Sequence, residues 1–231
     1  MDAMETIEYR GFEINIYPDN NPEDPREWDN LGTMACFNRN YNLGDKHDFN
    51  SVEEMWMGLA EEAGIYDTEV LEEMEMVNIE KIVYNNYVVL PLYLYDHSGI
   101  TMSTKPFSCP WDSGQVGIIY VSNEKAKKEL GFNTDSYYKE GLTAAEILIG
   151  EVETYDKYIS GKVYGYNVEP THRNKSIDCD DSCWGYFDYE HMVSEAKQAI
   201  DYSIKEYKEE MGKQHKEKMA TNLFLRTCWA D

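Results

Sequence analysis

The sequence predicts an α+β fold: a mostly antiparallel sheet with packed helices and a long C-terminal helix. Three observations predict it. Several short segments alternate apolar and polar residues with the period of a strand. Others repeat at helical spacing behind recognisable caps. The two kinds are mixed without regular βαβ alternation, which argues against a parallel sheet. At 231 residues the chain exceeds the usual single-domain size without demanding two domains. It shows no internal repeat and no low-complexity linker, so the expectation is a single α+β domain over residues 1–231.

Thr6 to Tyr17 (TIEYRGFEINIY) alternates as a half-buried strand with a possible turn at Arg10-Gly11. A Pro/Asn/Asp-rich loop, Pro18 to Pro25, follows. Gly32 to Phe37 (GTMACF) reads as a second strand, expected antiparallel to the first. Asn50-Ser51 caps a helix running through Ala63 and stopped by Gly64, with Val52, Met55, Trp56, Leu59 and Ala60 on one face. A further helical stretch covers Glu69 to Val83. Val88 to Tyr95 (VVLPLYLY) is a strand in which Pro91 calls for an edge or a bulge, and Gly117 to Ser122 (GIIYVS) is the next. Ser122 or Asn123 caps a short helix ending at Gly131, and Leu142 to Ile159 forms another. Lys162 to Val168 alternates as a strand. After a polar loop, a long helix begins near Tyr189 and runs to Met211 or beyond.

Charge is the most unusual property. Asp and Glu number 44 against 21 Lys and Arg, a net charge of -23. Such a charge opposes attraction to nucleic acid or anionic lipid and favours basic partners; solubility alone is the plainer explanation. The carboxylates are unevenly placed. From Ser51 to Glu80 stand Glu53, Glu54, Glu61, Glu62, Asp67, Glu69, Glu72, Glu73, Glu75 and Glu80, with no Lys or Arg among them. The C-terminal segment instead interleaves both signs, from Lys197 and Asp201 to Glu210 and Lys213, as a solvated helix does.

Cys36, Cys109, Cys179, Cys183 and Cys228 are odd in number and scattered. The acidic segment Met1 to Tyr9 has no apolar h-region, and no apolar run is long enough for a bilayer. Reduced thiols in a cytoplasm are the expectation, and the sequon Asn174-Lys175-Ser176 then carries no meaning. No P-loop, dinucleotide fingerprint or nucleophile elbow is present. Cys179 and Cys183 lack a second pair to complete a zinc site. Asp178, Asp180 and Asp181 lack the Gly and Glu of a calcium loop. His191 and Glu195 share a helical face, a frequent coincidence, and Asp45, His47 and Asp48 read as a solvated cluster. No metal and no cofactor are expected. Trp28, Trp56, Trp111, Trp184 and Trp229 read mainly as core or rim residues, although exposed aromatics also suit interfaces.

The densest polar stretch joins two apolar strands, Tyr95 to Gln115, and reads as a long loop. Within it a Cys109 thiolate activated by His97, with Asp96 or Asp112 orienting the ring, would make a nucleophilic arrangement. Ser98, Ser103 and Ser113 add hydroxyls. The competing and more economical reading is a structured connection, with Asp112-Ser113-Gly114 and Asp96-His97-Ser98-Gly99 as turns.

Five blocks carry a likeness: R-E-W-D-N-L-G (Arg26 to Gly32), Y-N-L-G-D-K-H (Tyr41 to His47), Y-D-H-S-G-I-T-M-S-T…S-C-P-W-D-S-G-Q-V-G-I-I-Y-V-S (Tyr95 to Ser122), E-V-E-T-Y-D-K-Y-I-S-G-K-V-Y-G-Y (Glu151 to Tyr166) and D-S-C-W-G-Y-F (Asp181 to Phe187). Together they resemble a family of uncharacterised proteins carried by phages, plasmids and integrative elements of bacteria. The resemblance implies a setting, an accessory gene of mobile DNA, and supplies no catalytic residues. In that setting the expected function is a non-enzymatic inhibitor of host defence, restriction or CRISPR. It would present a nucleic-acid-mimicking face to a basic nucleic-acid-binding protein such as a nuclease, without binding nucleic acid or membrane itself. Glu53, Glu54, Glu61, Glu62, Glu72, Glu73 and Glu75 would carry that face. The alternative is an enzyme or small-ligand binder using the Asp96–Gln115 loop, with His97, Cys109 and Asp112 as working residues.

Overall fold

Arg10 and Gly11 both take positive φ, 50° and 82°, as the type I′ turn of a two-residue hairpin requires. The turn divides the first alternating segment into β1 (Glu5–Tyr9) and β2 (Phe12–Pro18), with Tyr9 opposite Phe12. The computed structural model describes residues 2–64, 68–130, 143–179 and 181–228, and no side chain is described for Thr68 or 221–228. Met1, Asp67, Gly131, Leu142, Asp180 and Trp229, named above, lie outside the described residues. The fold is α+β with two four-stranded antiparallel sheets and a long C-terminal helix. Where the sequence shows no linker, the chain nevertheless divides into two compact units: Met1–Pro22 with Gly161–Asp231, and Glu23–Ser160.

The first unit holds a sheet of order β1-β2-β7-β8, where β7 is Tyr164–Pro170 and β8 is Ser182–Tyr186. The alternation of β2 sends Phe12, Ile14 and Ile16 to one face, joined by Tyr166 and Val168 from β7. The helix α6 (Tyr189–Cys228) closes that face with Met192, Val193, Ala196 and Ile200. β8 falls in the stretch expected to be a polar loop. Most of its residues are exposed, so burial leaves no alternating signature there. Its Trp184 indole lies over Gly165 of β7, where a Cβ would overlap the ring, and stacks at 5.9 Å from Tyr17.

The second unit holds a sheet of order β3-β6-β4-β5, with β3 Thr33–Cys36, β4 Tyr87–Asp96, β5 Ile100–Ser103 and β6 Ser113–Ser122. Both faces are packed. Met34, Leu92, Leu94, Ile119 and Val121 face Leu148, Val152 and Tyr155 of α5 (Ala144–Ile159). Ala35, Tyr87 and Ile118 face the other way, onto α1 (Val52–Glu62), α2 (Thr68–Glu72) and α3 (Met76–Asn86). A strand covered on both sides has no polar face, which is why GIIYVS is almost continuously apolar. α4 (Asn123–Leu130) follows β6 directly, its first turn held by Ser122 Oγ accepting from the Lys125 amide at 3.1 Å.

Several expectations change. β3 pairs with β6, not with the first hairpin, because alternation fixes which face a residue takes but not its neighbour. The Glu69–Val83 helix is two helices, broken at residues 73–75. The 95–115 connection is not one long loop: β5 pairs back on Tyr93–Asp96 and β6 begins at Ser113. Pro91 lies on the inner strand β4, but β5 reaches only Tyr93, so Pro91 has a single strand neighbour, and a bulge follows between Leu92 and Tyr93. Among the described residues no helix is long and apolar enough to cross a membrane.

Candidate functional site

Three places in the second unit bear on function. The first is the helical layer α1–α2–α3. Ser51 is the N-cap of α1, its Oγ accepting from the Glu54 amide at 3.1 Å. Glu54 reaches back to accept from the Asn50 amide at 2.8 Å and its side-chain amide at 3.0 Å. Those two bonds hold its carboxyl below the usual range. Met55, Trp56, Leu59 and Ala60 turn inward, as the helical period demands, and meet Leu71 of α2 with Ile79 and Val83 of α3. The carboxylates are thereby turned outward: Glu53, Glu54, Glu61, Glu62, Glu72, Glu73 and Glu75 are all exposed. Among the described residues, Glu53, Glu72, Glu73 and Glu75 enter no ion pair. Between them stand exposed apolar side chains, Val52, Val70, Val77 and Tyr84. Glu54 is thus occupied with capping, and Glu62 accepts from the Tyr87 hydroxyl at 3.4 Å.

The second place is the β4–β5–β6 turn region. The structure brings His97, Cys109 and Asp112 together. Asp112 Oδ2 accepts from Cys109 Sγ at 3.4 Å and lies 3.4 Å from His97 Nδ1. The segment is folded back on β4: the Asp96 amide donates to the Asp112 carbonyl at 2.8 Å, and Ser113 Oγ donates to the Cys109 carbonyl at 2.5 Å. Asp96 is engaged by the Tyr41 hydroxyl, which its acceptance pushes up. Ser98, at φ 60°, and Gly99 make the turn expected at Asp96–Gly99. The order of the three groups differs from a nucleophilic pair. The carboxylate stands between thiol and imidazole, and among the described residues no hydrogen bond joins His97 to Cys109. A carboxylate is too weak a base to take a thiol proton, roughly pKa 4 against 8.5 for the free groups. Beside this trio Trp111 stands 92% exposed.

The third place corrects the reading of Asp45 and His47 as solvated. The Arg26 side chain is 5% exposed and makes a two-pronged contact with Asp45, Nε to Oδ1 at 2.9 Å and NH2 to Oδ2 at 2.7 Å. Its NH1 meets Glu151 Oε2 at 3.1 Å, and NH2 also donates to the Gly32 carbonyl at 2.7 Å. Both carboxylates take further backbone donors: Leu31 N to Glu151 Oε1 at 2.7 Å, and Met34 N to Asp45 Oδ2 at 2.7 Å. Burial disfavours the Arg26 charge, but Asp45 and Glu151 outweigh it and hold the guanidinium above its ordinary range. With its partners engaged, this cluster clamps the chain before β3 to α5. His47 Nε2 sits 3.0 Å from the Cys36 carbonyl, its ring between Phe37 and Phe49. Burial, then Asp45, pushes the Cys36 thiol up to about 12.

Cys36, Cys109 and Cys183 are free thiols. Among the described residues no group of three or more His, Cys, Asp and Glu side chains is placed to hold a metal ion. His191 packs edge-on to Tyr186 at 6.1 Å. Tyr87 and Tyr120, which line a cleft beside Glu62, were not singled out by sequence, since a tyrosine inside an apolar strand reads as core. Comparison with protein-family models, with curated proteins and with solved structures finds no match.

Proposed function

We propose that the protein is a non-enzymatic binding protein that docks a basic, nucleic-acid-handling protein on its α1–α2–α3 layer. One observation carries the reading: the outward carboxylates share that layer with the exposed Val52, Val70, Val77 and Tyr84. Carboxylates alone would fit a merely soluble surface. Apolar side chains among them supply the desolvated contacts that a protein interface needs, while the charge steers a basic partner and competes with phosphate. The layer is seated on a sheet packed on both faces, so it is presented pre-formed. The resemblance to accessory proteins of mobile bacterial DNA makes a restriction or CRISPR nuclease the first partner to test. Purified protein is used to capture partners from a bacterial lysate at low and high salt. Recovery of a basic DNA-handling protein, lost as salt rises, is expected. Replacing Glu53, Glu72, Glu73 and Glu75 together by Lys should weaken capture more than tenfold without lowering the melting temperature; unchanged capture removes the reading.

The convergence of His97 and Cys109 on Asp112 favours a second reading, a small-ligand or catalytic site in the turn region. It requires that Cys109→Ala or Asp112→Asn abolish the biological effect while the fold persists. Variants that behave as the native protein make the trio a structural tie.

A further inference from the structure

At one end of the α1–α2–α3 layer, the last turn of α1, the α3–β4 junction and the β6–α4 junction enclose a cleft of 540 Å³. Its walls include Glu62, Asn86, Tyr87, Tyr120, Glu124 and Lys125. Two helices, α1 and α3, end at this wall, and neither has a basic residue in its last turn. The C-terminal end of a helix carries partial negative charge, and here that end is partly capped: the Gly64 amide donates to the Glu61 carbonyl at 2.8 Å and Asn123 Nδ2 to the Asn85 carbonyl at 3.0 Å. Glu62 adds a full one. It is exposed and accepts from the Tyr87 hydroxyl at 3.4 Å. The Tyr87 and Tyr120 rings meet edge to face at 5.9 Å. Burial, then the charge of Glu62, pushes both hydroxyls up to about 12. Among the described residues the one cation in the walls is engaged: Lys125 Nζ donates to the Asn30 and Leu31 carbonyls at 3.2 and 2.9 Å.

We infer that this cleft binds a guanidinium group. A carboxylate, a tyrosine wall and the negative ends of two helices suit a flat cation with several donors, which packs against Tyr120 while its fork meets Glu62. An ammonium is more strongly hydrated and cannot stack, so it would give up more water for fewer contacts. The group has two possible sources, a small alkylguanidine or an arginine side chain. The second deepens the docking proposed above and rests on it: Glu62 belongs both to the acidic layer and to the cleft, which would then take an arginine of the docked protein.

The test is a titration of the 15N-labelled full chain, followed by amide chemical shifts. Agmatine is added in one arm, and the peptide Gly-Gly-Arg-Gly-Gly with its Lys counterpart in the others. Saturable shifts at Glu62, Tyr87, Tyr120 and Ser122 are expected with the guanidinium ligands and weaker ones with lysine. Glu62→Gln, which keeps an acceptor for Tyr87, should weaken binding about tenfold or more. Tighter binding of the arginine peptide than of agmatine assigns a polypeptide source, and the reverse assigns a small ligand. Absence of saturable shifts, equal binding of the lysine peptide, or an unchanged affinity in Glu62→Gln overturns the inference. Its failure is separable from failure of the docking reading, which is judged by lysate capture and the four-lysine variant at other positions.

Discussion

The sheet β1-β2-β7-β8 carries one helix on one face, whereas the sheet β3-β6-β4-β5 is packed on both. Each holds a buried or exposed arginine that shows the same contrast in charge. Arg10 pairs with Asp201 at 2.8 Å with both side chains about half exposed. Arg26 is almost wholly enclosed and meets two carboxylates that are themselves bound by backbone amides. The pairing rules are identical in the two sheets. What differs is access to water, and that decides both what an ion pair is worth and how the strands read. In a one-sided sheet, alternate positions stay polar, as Glu13 and Asn15 do between Phe12, Ile14 and Ile16. In a two-sided sheet they cannot.

The sharpest way to break the contrast is to remove the two arginines in turn. Arg26→Ala leaves Asp45 and Glu151 enclosed without a countercharge and should cost about 3–5 kcal/mol. Urea denaturation measures the loss, and hydrogen exchange should place it in residues 23–160. Arg10→Ala removes an exposed pair and should cost no more than about 1 kcal/mol. Equal losses would mean that enclosure is not what matters. In the one-sided sheet the vulnerable point is instead aromatic. Gly165→Val drives side-chain atoms into the Trp184 indole and should cost about 1–3 kcal/mol. A red shift of tryptophan emission and faster exchange in β7 and β8 would report it.

Raising the pH probes the two-sided sheet through its tyrosines. The hydroxyls of Tyr87, Tyr120 and Tyr155 are pushed up to about 12, mainly by burial. A folded pKa above the unfolded value of roughly 10 means that the fold favours the neutral phenol. The stabilisation is complete below that value and is lost as pH climbs towards about 12. Denaturation midpoints measured from pH 9 to 12 should fall through this window, and less steeply in Tyr87→Phe.

How much of this was legible follows from the same physics. The Arg10-Gly11 hairpin, the Ser51 cap and the inward face of α1 are local and legible, except that Val52, expected on that face, is exposed in the first turn of the helix. The outward turn of the acidic residues followed from the same helical period. The partner of β3 was misassigned because period two sorts faces, not neighbours. β8 was missed because an exposed edge strand lacks an apolar alternation, and its Gly185 at φ 83° reads as a turn. His97, Cys109 and Asp112 were named as one group, but which of them stands in the middle is a matter of turn geometry. The Arg26 cluster was invisible for a simpler reason. Its members lie in three separate blocks of sequence, and nothing about an isolated Arg, Asp or Glu announces enclosure.

That last separation has a kinetic consequence. Arg26 reaches Asp45 across 19 residues and Glu151 across 125. The second bond can close only after α5 has docked on the sheet, and closing so long a loop carries an entropy cost that places it, by expectation, late in assembly. A contact made late is also broken early on the way out, and removing it accelerates escape from the native state more than it slows entry. The expectation is a latch on lifetime: Arg26→Ala should raise the unfolding rate more than it lowers the folding rate, which stopped-flow folding and unfolding rates measure.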